Sequence, residues 1–95
     1  MRGIISWGAY LPYRRLDRSQ INAFIGQGGG RGTRTVASFD EDTTTMGVEA
    51  ARLAMRGIDP SRHTGPDAVI FGTALPAYAD RTNATAIHAA LRLPA

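Results

Sequence analysis

The sequence contains no cysteine and no lysine. Without cysteine there is no disulfide framework, no zinc–thiolate site and no cysteine nucleophile within these residues. Aromatic side chains make up only 7% of the chain, too few for a repeated aromatic–basic platform on which bases could stack. The longest uninterrupted apolar run, Ala68-Val69-Ile70-Phe71, is far too short to cross a bilayer. The first residues lack the long apolar core and small-residue cleavage site of a secretory signal, so a cytoplasmic location is expected, with no membrane partner.

What is present is a globular composition. Of the 95 residues 43% are hydrophobic and 20% charged, which suits a folded domain rather than a disordered tail. A single small domain of this length buries only about 60–65% of its unfolded surface. Eleven arginines face eight acidic side chains, a net charge of +3. The charge is uneven. Residues 1–39 carry six arginines (Arg2, Arg14, Arg15, Arg18, Arg31, Arg34) against Asp17 alone, whereas residues 40–95 are net acidic. Such a basic surface suits phosphates, on nucleic acid or on a small anionic ligand. Few aromatics accompany it, Tyr10, Tyr13 and Phe24 among them, so it is read as a solvated arginine-rich face, and no nucleic-acid partner is expected.

The pattern along the chain is that of an α/β protein. Residues 3–11 read as a strand, with Ile5, Trp7 and Ala9 on one face and Ile4, Ser6 and Gly8 on the other, ended by Pro12. Asp17 is positioned to cap a short helix, with Gln20 completing a capping box and Leu16 placed to staple onto Ile21. The glycine run of residues 26–32 terminates that helix. A second helix begins at Asp40-Glu41-Asp42-Thr43, where carboxylates favour the positive end of the helix dipole. Its apolar residues Met46, Ala50, Leu53 and Ala54, widened by Val48, Ala51 and Met55, predict a mostly buried helix that Gly57 and Pro60 stop. Residues 67–71 read as a fully buried strand of the parallel-sheet kind. A last helix starts near Thr82 or Asn83, with Ala84, Ile87, His88 and Leu91 along one face.

No catalytic constellation assembles from these residues. The glycine run has no Lys followed by Ser or Thr, fits no GxGxxG register, and follows a helix where a nucleotide loop follows a strand. It reads as a mobile surface loop, in which Arg31 and Arg34 are candidate anion contacts. His63 falls in a connecting segment and His88 reads as a packed polar side chain, since a metal site needs several convergent donors. The Asp40-Glu41-Asp42 cluster has a sufficient role as a helix start, so no metal is expected. No serine sits in a Gly-x-Ser-x-Gly elbow.

The order of the segments resembles a known family. The opening Gly3-Ile-Ile-Ser-Trp-Gly-Ala-Tyr-Leu-Pro12 looks like the first strand of thiolase-superfamily condensing enzymes. The stretch Asp40-Glu-Asp-Thr-Thr-Thr-Met-Gly-Val-Glu-Ala-Ala51 is similar to their next long helix. Its Asp-Glu-Asp-Thr start is most like archaeal-type hydroxymethylglutaryl-CoA synthases, and Thr45-Met46-Gly47 with Glu49-Ala50-Ala51 resembles ketoacyl-ACP synthase III. Gly57-Ile58-Asp59-Pro60, Asp67-Ala-Val-Ile-Phe-Gly-Thr73 and Pro76-Ala-Tyr-Ala79 continue in family order.

The resemblance implies that residues 1–95 are the N-terminal portion of a thiolase-like half-domain, the incomplete beginning of a layered α-β-α sandwich. It implies an acyltransferase that condenses CoA or acyl-carrier thioesters in a Claisen-type step, with no covalently bound cofactor. The family's nucleophile is a cysteine, whose thiolate a helix N-terminus activates; it comes after the point corresponding to Ala95, so the chain alone is expected to be inactive. Ala74 and the pair Gly28-Gly29 depart from the pattern. Ala74 stands where hydroxymethylglutaryl-CoA synthases carry an acid/base glutamate, and Gly28-Gly29 stand where those enzymes have a substrate-contacting Asp-Ala pair. The side-chain contact of that pair is lost, but Arg31 and Arg34 lie close by, and Gly28, Gly29, Arg31 and Arg34 are the candidate CoA-facing residues. The expected partners are the rest of a condensing-enzyme chain or a homologous subunit, in a homo-oligomer. A non-catalytic scaffold or partner subunit with the same fold is the alternative. A buried strand at residues 68–71 needs cover on both faces, so the chain is expected to be oligomeric, part of a larger body, or only partly ordered.

Overall fold

The computed structural model describes residues 3–62 and 65–94. The chain divides into two compact units, one formed by Met1–Tyr10 with Glu41–Ala95 and the other by Leu11–Asp40.

In the unit Leu11–Asp40, strand β1 (Arg14–Asp17) runs directly into helix α1 (Arg18–Ile25), and strand β2 (Thr33–Val36) returns beside β1. The two strands pair antiparallel, with Arg14 opposite Val36, Arg15 opposite Thr35, Leu16 opposite Arg34 and Asp17 opposite Thr33. Asp17 is both the last ladder residue and the N-cap of α1, its carboxylate accepting from the Ser19 N–H at 2.9 Å. The expected capping role of Asp17 is thus realised. The helix ends at Gly26, whose φ of 90° and N–H bonded to the Asn22 carbonyl at 2.7 Å make a left-handed C-cap. The hairpin itself was not foreseen from the sequence. Arg-Arg-Leu-Asp is too short and too charged to show a strand period, and a helix separates it from its partner.

In the other unit, helix α2 (Thr43–Arg56) starts where its acidic residues predict. Asp42 is the N-cap: its carboxylate accepts from the Thr45 N–H at 2.8 Å, and the Asp42 N–H donates to the Thr45 hydroxyl at 2.9 Å. This reciprocal pair is a capping box. Helix α3 (Asn83–Ala90) has Thr82 as N-cap. The core lies between the two helices, with Ile87 only 2% and Val48 8% exposed. Phe71 and Ile87 press on Gly47, where an added Cβ would sit 3.0 and 3.1 Å from their ring and methyl atoms. Buried Thr44 is satisfied by its hydroxyl bond to the Asn83 side chain at 3.1 Å. Asn83 also brackets Tyr78, accepting from its N–H at 3.0 Å and donating to its carbonyl at 3.1 Å.

Three expectations are corrected here. Residues 3–11 and 67–71 are not strands, because among the described residues the only sheet is β1–β2 and neither segment has a ladder partner. Residues 68–71 are not fully buried either: Ile70 is 96% exposed while Val69 and Phe71 are half-buried. Helix α2 is not mostly buried, since only Thr44 and Val48 on it are. The two-residue alternation nevertheless survives in residues 5–10. Ser6, Gly8 and Tyr10 are half-buried, whereas Ile5, Trp7 and Ala9 are exposed. The Ser6 hydroxyl donates to the Ala54 carbonyl at 2.5 Å, and a Cβ on Gly8 would lie 2.5 Å from Ala54 N and 2.8 Å from the Ala50 carbonyl. Only glycine permits so close an approach to the helix backbone.

Candidate functional site: the arginine hairpin and its glycine loop

The glycine loop is built around Asn22. The side-chain oxygen of Asn22, on α1, accepts from the Gly29 N–H at 2.9 Å and folds residues 26–32 back over the helix. Gly29 is buried there, and a Cβ on it would collide with the Arg18 carbonyl and come within 2.9 Å of Asn22 N. Gly28, Gly30 and Gly32 have φ of 85°, 73° and 82°, the left-handed region that favours glycine. The loop closes where the Arg18 N–H donates to the Gly32 carbonyl at 2.9 Å, extending the ladder by one bond. A run read from sequence as a surface loop therefore has one inward-packed residue and a defined path.

The four candidate residues lie on this loop and on β2. Gly28, Arg31 and Arg34 are exposed, while Gly29 is packed inward with its N–H already bonded. Strand geometry adds a residue that sequence reasoning did not single out. Side chains two apart on a strand share a face, as do residues directly opposite on its partner. Arg14, Leu16, Arg34 and Val36 consequently share one face of the hairpin. Beside it lies an open groove of about 540 Å³ lined by Tyr13, Arg14, Arg15, Leu16, Val36 and Phe39, among others. The Arg15 guanidinium donates to the Pro12 carbonyl and, at 3.1 Å, to the Arg14 carbonyl.

Chemically this groove offers guanidinium charge over an apolar, aromatic-edged floor. It suits an anion attached to a flat or apolar group. Among the described residues no carboxylate, imidazole or thiol lines it, so those residues bring it no proton-transfer group that works near neutral pH. Two carboxylates with lowered pKa serve local turns. Asp17 is lowered by the Ser19 backbone N–H and then the Ser19 hydroxyl, and Asp59 by the Ser61 hydroxyl and then its N–H.

Several of the remaining candidates have structural partners. His88 is half-buried, its Nε2 2.9 Å from the Pro94 carbonyl. His63 lies outside the described residues. Asp42 caps α2 and Glu41 accepts the Tyr10 hydroxyl. Among the described residues no three histidine or acidic side chains converge as a metal site, and no helix is long and apolar enough to cross a membrane. Ala74 lies between Thr73, whose hydroxyl accepts from the Leu75 N–H at 3.1 Å, and Leu75, whose carbonyl accepts from the Thr43 hydroxyl at 2.7 Å. Its backbone is thereby fixed at the start of α2, but its methyl group carries no chemistry.

Comparison with known proteins returns archaeal sequences. The chain is 38% identical over 97 residues to hydroxymethylglutaryl-CoA synthase of Aeropyrum pernix, covering 94% of this chain and 26% of that protein. It is 36% identical over 92 residues to the Pyrococcus furiosus hydroxymethylglutaryl-CoA synthase, covering 94% and 25%. For the Archaeoglobus fulgidus hydroxymethylglutaryl-CoA synthase the identity is 36% over 100 residues, covering 96% and 28%. The chain thus spans about a quarter of the length of these relatives. No family model matches the sequence, and no solved structure matches it.

Proposed function

This chain belongs to the thiolase-like condensing enzymes, and on that premise we propose that it is the N-terminal portion of a half-domain in a condensing acyltransferase acting on CoA or acyl-carrier thioesters. The observation that carries the reading is sequence identity of 36–38% to hydroxymethylglutaryl-CoA synthases over nearly the whole chain. The reaction class needs a nucleophile to take the acyl group from one thioester before a second condenses with it. A thiolate suits that role. With no cysteine among its residues, the chain supplies scaffold and substrate contacts, and the nucleophile comes from the remainder of a condensing-enzyme polypeptide or from a homologous subunit, in a cytoplasmic homo-oligomer. The layered α-β-α sandwich is completed by that partner.

Within this reading Gly28, Arg31 and Arg34 form the CoA-facing edge, and Gly29 shapes the loop that presents it. Two exposed guanidiniums suit the phosphates of CoA, and nearby Arg14 adds a third on the Arg34 face. Ala74 favours a second reading. A methyl group at the position of the family's glutamate cannot transfer a proton, which fits a non-catalytic scaffold or partner subunit that keeps the fold.

The test is acyl transfer from a labelled acyl-CoA. It uses the purified chain alone, and the chain mixed with the part of the Aeropyrum pernix relative outside the matched region. The enzyme reading expects no acyl-protein from the chain alone and condensation product from the mixture. Complex formation without product leaves the scaffold reading. Acylation of the isolated chain overturns both.

A further inference from the structure

The last turns of α2 and α3, both in the unit Met1–Tyr10 with Glu41–Ala95, flank an open groove of about 450 Å³. Arg52, Arg56 and Arg92 line it, with half-buried Met55 and Leu91 as its apolar wall. Arg52 is already paired with Glu49 at 2.7 Å. The guanidiniums of Arg56 and Arg92 have no ion-pair or hydrogen-bond partner among the described residues. Two positive charges therefore stand free at one groove.

Basic residues at a helix C-terminus commonly serve its free carbonyls and its dipole. Here backbone groups already take those carbonyls. At the end of α2 the N–H groups of Gly57 and Ile58 bond the carbonyls of Ala54 and Met55 at 3.2 and 3.1 Å. At the end of α3 those of Arg92 and Leu93 bond Ala89 and His88 at 3.0 and 3.3 Å, a Schellman motif. Its left-handed position is Arg92, with φ of 56°, the one non-glycine residue of positive φ among the described residues. Glycine suits that position, and an arginine there strains the backbone. The strained residue is also one of the two whose guanidiniums are free at the groove.

We propose that Arg56 and Arg92 bind the phosphate of a small organic phosphate monoester, whose organic body rests on Met55 and Leu91. Charge selects the class. A phosphate monoester carries about 1.5 to 2 negative charges near neutral pH, which matches two free guanidiniums, whereas a carboxylate carries one. The planar arginine fork bonds two phosphate oxygens at once. The apolar wall gives the organic body a contact that inorganic phosphate cannot make. The site draws on the unit Met1–Tyr10 with Glu41–Ala95 alone, and its argument does not depend on the condensing-enzyme reading.

The test titrates phenyl phosphate, benzoate and inorganic phosphate into the isotopically labelled chain at low salt, following the arginine Nε–H resonances. Phenyl phosphate should bind most tightly and shift Arg56 and Arg92. Its affinity should fall as pH drops through about 6, where the monoester gains its second proton. Arg56→Ala and Arg92→Gly should each weaken binding by about tenfold. Arg92→Gly should at the same time raise Tm by a few degrees, since glycine relieves the left-handed position. Arg62→Ala removes the same charge outside the groove and should change the affinity less than about twofold. Unchanged affinity in both groove variants overturns the site, and so does an equal loss in Arg62→Ala, which reduces the effect to overall charge. Arg92→Gly that is more stable and binds as wild type also overturns it. Equal binding of phenyl phosphate and inorganic phosphate marks an adventitious ion only and overturns the organic ligand.

Discussion

The side-chain oxygen of Asn22 accepts a hydrogen bond from the N–H of Gly29 at 2.9 Å, and Gly29 in turn lies flat against the backbone of the helix that carries Asn22. One polar contact and one missing Cβ together hold the glycine loop on α1. Gly29→Ala places a methyl group on the Arg18 carbonyl, and overpacking of this kind costs about 1–3 kcal/mol. Asn22→Ala removes the bond alone and should cost about 1 kcal/mol. Amide hydrogen exchange at Gly29 and at Arg18, whose N–H donates to the Gly32 carbonyl, reads both, and protection should fall further in the glycine variant. Equal protection in wild type and both variants would show that the loop does not depend on this pair.

Asp42 and Thr45 exchange hydrogen bonds at the start of α2. Asp42→Ala removes the cap and should lower stability by about 1 kcal/mol, seen as an earlier helical melt by circular dichroism. Thr45→Val keeps the Asp42 bond to the Thr45 N–H and should lose less.

The carboxylate of Asp17 has a lowered pKa because the Ser19 N–H, then its hydroxyl, bonds the ionised form. A group whose folded pKa is depressed stabilises the fold above its unfolded value, about 3.9 for Asp, and loses that contribution as pH falls through the folded value. The start of α1 should therefore loosen on acidification below about pH 4, while a Ser19 amide resonance titrates with it. Asp17→Asn should flatten that titration. A Ser19 shift that moves equally in the variant would assign the acid response elsewhere.

Ile87 is 2% exposed and touches Gly47 with Phe71. Ile87→Ala should cost about 2–4 kcal/mol by lost burial and the space left behind, measured by urea unfolding. Met46→Leu, on a half-buried position of the same helix pair, should cost about 1 kcal/mol or less because it conserves volume.

The helices were legible because their signals are local. Asp17 and Asp42 act on residues within one turn, and the apolar spacing of α2 lies within a single stretch of sequence. Strands depend on neighbours. Residues 3–11 and 67–71 have the alternation of strands but no partner among the described residues, so they carry the pattern without the ladder. The pairing of Arg14 with Val36 escaped reading for the opposite reason. The partner exists, but a helix and a glycine loop lie between the two, and only Thr33, Thr35 and Val36 hint at it by β-branching. At the candidate site Gly28, Gly29, Arg31 and Arg34 could be picked out by type and order. That Gly29 faces inward, and that Arg14 joins Arg34 on one face, follows from contacts between residues far apart in the chain.

Asp17 ends β1 and caps α1, with no residue between the two elements, and the next N–H, that of Arg18, bonds the Gly32 carbonyl. A strand and a helix joined in this way have no joint at which to pivot. Adding or deleting one residue at the 17–18 boundary would turn every later α1 side chain by about 100° and pull Asn22 away from Gly29. Between Gly26 and Gly28 the same change meets open space on both sides. That short arc of the glycine run can therefore absorb a change of length, and the arginine-bearing strand beyond it keeps its register whatever the length of that arc.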